Sequence, residues 1–288
     1  MSALSEDVRK LLNRYNVKPK KKRGQSFLFN HSIAKEIVEL ANLSQMDVIL
    51  EIGGGLGILT RLIAESAKHV HVIEVDHGLV TALHDVLKDF SNVNIIEGDA
   101  LTVDLPSVNK IIANLPYSIS SEITFRILKE IQFETAILMY QKEFASRLVA
   151  LPGTSDYSRL TVNVQYHANI EEVLDVPATM FYPLPAVDST VVRMTRRLNG
   201  PFARDDEIFH WMVGGIYPYP NKNLRKVLRI WFRNQGLEKD LADEVLRRAG
   251  NVVSGKERLR SITLENLIFL SDVFLDLIQE SEIADPRV

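Results

Sequence analysis

The chain has 288 residues, 34 of them Lys or Arg and 37 Asp or Glu, for a formal net charge of −3. That length suits one large α/β unit with or without a small companion, and 46% hydrophobic with 25% charged residues describes a globular chain, not a disordered one. Without cysteine there are no disulfides and no thiolate zinc sites, and no apolar run is long enough to cross a bilayer, so a cytoplasmic protein with no membrane partner is expected.

The first twenty residues carry Glu6, Asp7, Arg9, Lys10 and Arg14 without an apolar core, and do not read as a secretion signal. Lys18-Pro19-Lys20-Lys21-Lys22-Arg23 then packs five cations into six residues. Such a run is a phosphate grip, an import-type signal or a solvated arm, and the residues alone leave all three open. Because the chain as a whole is slightly acidic, any polyanion has to be held by local clusters like this one.

From Asp47 onward, β-branched runs alternate with helical periods. Strands are predicted over Asp47–Ile52, Val70–Val75, Val93–Glu97, Lys110–Ala113 and Thr135–Tyr140, with helices over Ile58–Glu65 and His77–Phe90. This alternation predicts an α/β fold, a Rossmann-like, mostly parallel, doubly wound sheet. Ser189–Thr195 reads as a further strand, placed at the sheet edge. After Leu198-Asn199-Gly200-Pro201 the strand signals stop, which predicts a first domain over 1–197 and a small all-α domain over 198–288.

Glu51-Ile52-Gly53-Gly54-Gly55-Leu56-Gly57 joins the first of these strands to a helix. Glycine at 53, 55 and 57 allows a sharp turn and a close approach of backbone to ligand. The dinucleotide fingerprint wants glycine at 58, where this chain has Ile58. Glu51 would repel a pyrophosphate but suits the cationic methionine end of S-adenosylmethionine. Glu74, about twenty residues on, is placed to accept from ribose hydroxyls. Asp99, closing the third of the strands, is placed to accept from the cofactor's adenine amine.

Lys110–Ala113 runs into Asn114-Leu115-Pro116-Tyr117, the most specific feature of the chain. The exocyclic amine of adenine is a weak nucleophile, because its lone pair is delocalised into the ring. Acceptors on both N–H bonds turn nitrogen density toward an incoming methyl carbon. The Asn114 side chain and the Leu115 carbonyl are suited to that task, and Tyr117 offers a face for the base. A paired adenine does not reach such a pocket, so the target is single-stranded or flipped. Further along, Asn221–Arg233 reads as a helix with Lys222, Arg225, Lys226, Arg229 and Arg233 on one face and Leu224, Val227, Leu228 and Trp231 on the other. With no acid among the cations, this face is a candidate for RNA contact.

Gly24-Gln25-Ser26-Phe27-Leu28, Glu51–Gly57, Glu74, Asp99, Asn114–Tyr117 and Phe181-Tyr182-Pro183-Leu184-Pro185-Ala186-Val187-Asp188-Ser189 occur in an order that resembles the ribosomal RNA adenine dimethyltransferases, the KsgA-type enzymes and their archaeal and eukaryotic counterparts. The likeness spans roughly residues 20 to 197. It implies a class I methyltransferase domain that uses S-adenosylmethionine to dimethylate two adjacent adenosines near the 3′ end of small-subunit ribosomal RNA, during subunit assembly; separately, a monomer is expected. It further implies that Gln25, Ser26 and Leu28 close over the cofactor, with Gly53, Gly55, Glu74, Asp99 and Asn114 lining its pocket. Phe181 would stack on the target base opposite Tyr117. Beyond residue 200 the likeness is vague, so it is their charge, and not the resemblance, that makes Lys20, Lys21, Lys22 and Arg23 and the cations of the later helix the candidate grip on RNA. No metal site is expected. A large-subunit adenine methyltransferase of the antibiotic-resistance type, or a non-catalytic assembly factor on the same fold, remain the alternatives.

Overall fold

The computed structural model describes residues 3–20 and 24–287, so Lys21, Lys22 and Arg23 of the basic run lie outside the described residues. The chain forms two compact units. The first runs to Ser146 and resumes over Ala168–Arg196, and the second comprises Arg147–His167 and the chain from Arg197 onward.

The first unit begins with α1 (Ala3–Arg14), β1 (Phe27–Leu28) and α2 (His31–Glu39). It continues through β2 (Val48–Ile52), α3 (Ile58–Ser66), β3 (His69–Glu74), α4 (His77–Val86) and β4 (Val93–Glu97). Then come β5 (Lys110–Asn114), α5 (Ser120–Glu130), β6 (Thr135–Gln141) and α6 (Lys142–Leu148), and after the excursion into the second unit β7 (Ala168–Val176), β8 (Phe181–Tyr182) and β9 (Ser189–Arg196). Seven of these strands form one sheet in the order β4-β3-β2-β5-β6-β9-β7. Pairs from β4 to β6 are parallel, and β9 is antiparallel to both its neighbours.

Ser189–Arg196 is therefore an interior strand and not the edge strand that the sequence suggested. The edge is β7, which no sequence signal announced. A register shift between Glu172 and Leu174 breaks the polar–apolar alternation by which such a strand is recognised. Its Glu171, Glu172 and Asp175 put charge along an otherwise unpaired edge.

Alternation along the strands fixes what covers each face. Ile49, Val72, Ile112 and Met139 pack with Ile37 of α2, Ile63 of α3 and Leu83 of α4 in one apolar cluster. Tyr140 points the other way, where its hydroxyl and that of Thr124 in α5 share a 2.7 Å hydrogen bond. The sheet is thus doubly wound, and its strand order reverses between β2 and β5, the place where folds of this type open a crevice at the strands' carboxyl ends. Asp47 ties the opposite ends of the two strands together. Its carboxylate accepts from the Ser44 N–H (2.7 Å), Asn109 Nδ2 (2.7 Å) and Lys110 Nζ (3.0 Å). Burial works against the charge, yet these donors hold the Asp47 pKa down to about 2.

The second unit holds α7 (Arg159–His167), α8 (Asp206–Ile216), α9 (Leu224–Asn234), α10 (Leu241–Ala249) and α11 (Leu264–Gln279). Tyr157, Val162 and Tyr166 belong to the same core as Phe209, Trp231, Phe232 and Phe274. A boundary at 197 therefore misassigns residues 147–167. The apolar side of α7 is completed by helices that follow some forty residues later, which no local signal reveals. Among the described residues, no helix is long and apolar enough to cross a membrane.

Candidate active site

The turn from β2 to α3 uses left-handed glycines at Gly53 (φ +80), Gly55 (φ +57) and Gly57 (φ +81), conformations that side chains resist. Gly54 matters for a different reason. A Cβ there would lie 2.4 Å from Val72 Cγ1 and 3.1 Å from Leu83 Cδ1, so the turn is pressed onto β3 and α4. Glu74 clamps the same turn. Its Oε2 accepts the Gly55 N–H (3.1 Å), and its Oε1 accepts those of Val75 and Asp76 (2.9 Å each). Burial nevertheless pushes the Glu74 carboxyl above its ordinary range, against these three donors. With a single donor on Oε2, the carboxylate keeps capacity for a ligand hydroxyl.

Glu51 lies one residue before the end of β2 and is 1% exposed. Its Oε2 has no hydrogen-bond partner among the described residues, and the same is true of the Thr60 hydroxyl on α3. Burial pushes the Glu51 pKa up to about 8, and the nearby Glu74 charge adds to the rise. A buried carboxyl with an orphaned oxygen fits a site that receives a cation from outside the chain.

At the end of β5 the Asn114 amide nitrogen donates to the Ser26 carbonyl (3.4 Å), which leaves the side-chain oxygen as acceptor. The Leu115 N–H donates to the Met139 carbonyl (3.3 Å), and the Pro116 carbonyl accepts from Ile119 (3.1 Å), so Tyr117 opens a single turn of 3₁₀ helix. Gly24 (φ +60) permits the segment before β1 to approach this turn, since a Cβ there would meet the Tyr117 and Ser118 nitrogens at 3.1 Å. The hydroxyls of Tyr117 and Ser189 share a 2.7 Å hydrogen bond. Burial raises the Tyr117 pKa, and Ser189 opposes the rise.

These features surround one cavity of about 240 Å3. Gln25, Ser26, Leu28, Gly53, Gly55, Glu74, Asp99, Asn114, Leu115 and Tyr117 all line it, together with Glu51. Gly54 and the apolar side chains of Phe27 and Ile58 also line it, although the motifs that contain or adjoin them gave them no role there, and Leu79 of α4 joins them without any signal in the sequence. The Asp99 carboxylate accepts the Leu101 N–H (2.9 Å), and the next carbonyl, Ala100, is held by the Arg126 guanidinium (2.6 Å). Gln25 Oε1 accepts the Lys20 N–H (2.8 Å), and Ser26 Oγ donates to the Pro183 carbonyl (3.0 Å).

Phe181 does not line the cavity. Leu28↔Phe181 and Phe27↔Tyr182 pair β1 with β8 antiparallel, and this turns the Phe181 ring into the core beside Leu28, Ala34 and Ile37, where it is 2% exposed. A stacking partner for a base opposite Tyr117 is therefore not supplied by Phe181 in this conformation. Lys20, half exposed, lies against Asp76 (Nζ to Oδ2, 3.4 Å).

The basic helix also departs from the expectation of a face without acids. α9 starts at Leu224, with Asn223 Oδ1 capping the Lys226 N–H (2.9 Å), so Lys222 precedes the helix. Asp243 of α10 pairs with both Arg225 and Arg229, the latter at 2.7 Å. Arg225, Lys226, Arg229 and Arg233 still line a single groove, joined there by Lys239, which the helical pattern could not include.

A model of the ribosomal RNA adenine dimethylase family matches residues 16–267 of the chain. A Methanosarcina acetivorans protein named "Probable ribosomal RNA small subunit methyltransferase A" is 41% identical over 270 residues, covering 94% of this chain and 98% of that one. A protein of the same name from Methanococcus maripaludis is 40% identical over 258 residues, covering 89% and 98%. Among solved structures, a dimethyladenosine transferase from Plasmodium falciparum superposes with a TM-score of 0.75 at 25% identity, covering 88% of this chain and 97% of that one. The 23S rRNA methyltransferase ErmE superposes with a TM-score of 0.66 at 29% identity, covering 86% and 98%. With the doubly wound sheet, the glycine turn clamped by Glu74 and the Asn114–Tyr117 turn facing one cavity, these likenesses lead to one conclusion: the chain belongs to the ribosomal RNA adenine dimethylase family.

Proposed function

We propose that the protein transfers methyl groups from S-adenosylmethionine to the exocyclic amines of two adjacent adenosines near the 3′ end of small-subunit ribosomal RNA, during subunit assembly. The observation that carries this reading is one cavity in which the buried, orphaned Glu51 carboxyl and the Glu74 clamp meet the Asn114–Tyr117 turn. S-adenosylmethionine, when bound, supplies a methyl group activated by a sulfonium. Glu51 meets its cationic methionine end, Glu74 its ribose hydroxyls and the Asp99 turn its adenine. Asn114 Oδ1 and the Leu115 carbonyl accept the two N–H bonds of the target amine and aim its nitrogen, while the Tyr117 face replaces the stacking lost when the base leaves its neighbours. RNA phosphates are held by the α9 groove of the second unit, chiefly by Lys226, Arg233 and Lys239, since Arg225 and Arg229 share Asp243.

The likeness to ErmE favours one competing substrate, the large subunit. The test is transfer of labelled methyl groups to small subunits lacking the adenine modification, with large subunits in parallel and nucleoside analysis of the product. Dimethyladenosine on small subunits alone is the expected result. Label on large subunits alone would reassign the substrate, and cofactor binding without transfer to either would leave a non-catalytic assembly factor.

A further inference from the structure

The segment Phe181–Ser189 stands out in the sequence, yet its first residue is buried in the core and its role in the site is not accounted for by Phe181. Its last residue is the one that touches the site. Ser189 opens β9, is fully buried, and is register-paired with Gln141 of β6 on one side and Val176 of β7 on the other. Its hydroxyl, 2.7 Å from that of Tyr117, is thereby fixed by two strands. Tyr117 itself lies on a short turn beyond β5, in a 3₁₀ turn against the Gly24 backbone.

We infer that Ser189 is a positioning residue for methyl transfer, which pins the Tyr117 phenol so that the ring plane is set before the target adenine arrives. This rests on the reading of the protein as an adenine methyltransferase. Stacking holds a base only if the ring presents one fixed face, and a tyrosine on a loop is free to swing about its side-chain torsions. Tethering the hydroxyl end removes that freedom while leaving the ring face open. The tether spans from β5 across β6 to β9, so it links the target-base turn to the interior of the sheet. The other end of the same segment is tied to the cofactor side, where Ser26 Oγ donates to the Pro183 carbonyl (3.0 Å). The Phe181–Ser189 segment is thus tied through Pro183 to Ser26 and through Ser189 to Tyr117, two residues that line the cavity.

The experiment is a double-mutant cycle on methyl transfer to unmodified small subunits, with S-adenosylmethionine affinity and melting temperature measured for each variant. Tyr117→Phe keeps the ring and removes the tether from one end, and Ser189→Ala removes it from the other. The expected result is a similar loss of kcat in both, about three- to tenfold as befits one hydrogen bond, with unchanged cofactor affinity and no further loss in the double variant. Wild-type kcat in Ser189→Ala, or losses that multiply in the double variant, would overturn the inference. If Ser189→Ala does not fold, Tyr117→Phe decides alone, and wild-type kcat there has the same consequence. Failure of the wild-type protein to methylate any subunit would remove the enzyme reading and this inference with it. Transfer by wild type with an additive cycle would remove only the inference.

Discussion

Glu51 is the residue whose energetics and function oppose each other most plainly. Its folded-state pKa of about 8 lies above the ordinary 4.5. Below pH 4.5 folded and unfolded chains both carry the proton, so the residue is neutral to stability. Between 4.5 and 8 the unfolded chain gives the proton up and the fold is progressively disfavoured, a penalty that levels off above 8. Glu51→Gln should therefore leave the melting temperature unchanged near pH 4 and raise it above wild type as pH approaches 8. The same change should weaken S-adenosylmethionine binding about ten- to a hundredfold, the scale of a hydrogen bond to a charged group. Calorimetry in buffers of different ionisation enthalpy should also show proton release on binding near pH 7 in wild type and none through Glu51 in the variant. Tyr117→Ala should slow methyl transfer strongly and leave cofactor affinity near wild type; equal loss of both would remove Tyr117 from its role at the target base. Glu74, Asp99 and Asn114 were legible in the sequence because polar residues at the ends of apolar strands serve no packing purpose. The parts played by Gly54 and Ser189 were not, because what they do depends on Val72 and Tyr117, partners that only the folded chain brings within reach.

At the level of elements, two predictions concern how strands and helices are joined. Asp47 gathers donors from Ser44, Asn109 and Lys110, so Asp47→Ala leaves the mostly buried Lys110 ammonium with the Asn42 carbonyl but no counter-charge, and should cost about 2–3 kcal/mol, read as a lowered denaturant midpoint. In wild type the stability due to Asp47 is present above the ordinary carboxylate pKa of 3.8 and is lost as pH falls toward 2. In α8, Gly215 costs helix propensity, but a Cβ there would sit 2.0 Å from the Trp231 ring. Gly215→Ala should hence destabilise the second unit by about 1–3 kcal/mol although alanine is the better helix former. The five parallel strands and α3 and α4 were readable from alternation alone. The bulged β7 was not, and the orientation of Phe181 was decided by a two-residue pairing, β1 with β8, too short to leave a periodic trace.

For the molecule as a whole, a net charge of −3 offers a polyanion no general attraction. If RNA is held by the α9 groove, Lys226→Ala and Arg233→Ala should each weaken binding across RNA sequences and lower the slope of log affinity against log salt by roughly 1. Arg225→Ala should change that slope less, because Asp243 already neutralises part of its charge. Filter binding over a salt series reads both, and an unchanged slope in all three would move the RNA contact elsewhere. Two domains were foreseen in the sequence, but their contiguity was not borne out, since residues 147–167 belong to the core of the second unit. That insertion has a consequence for biosynthesis. As the chain leaves the ribosome, Tyr157, Val162 and Tyr166 emerge before the final two strands of the large sheet, β9 and β7, can meet, and well before Phe209, Trp231 and Phe274 exist to cover them. For that interval the buried side of α7 is without its neighbours, so residues 147–167 stay exposed for a time set by the rate of translation between residues 167 and 274.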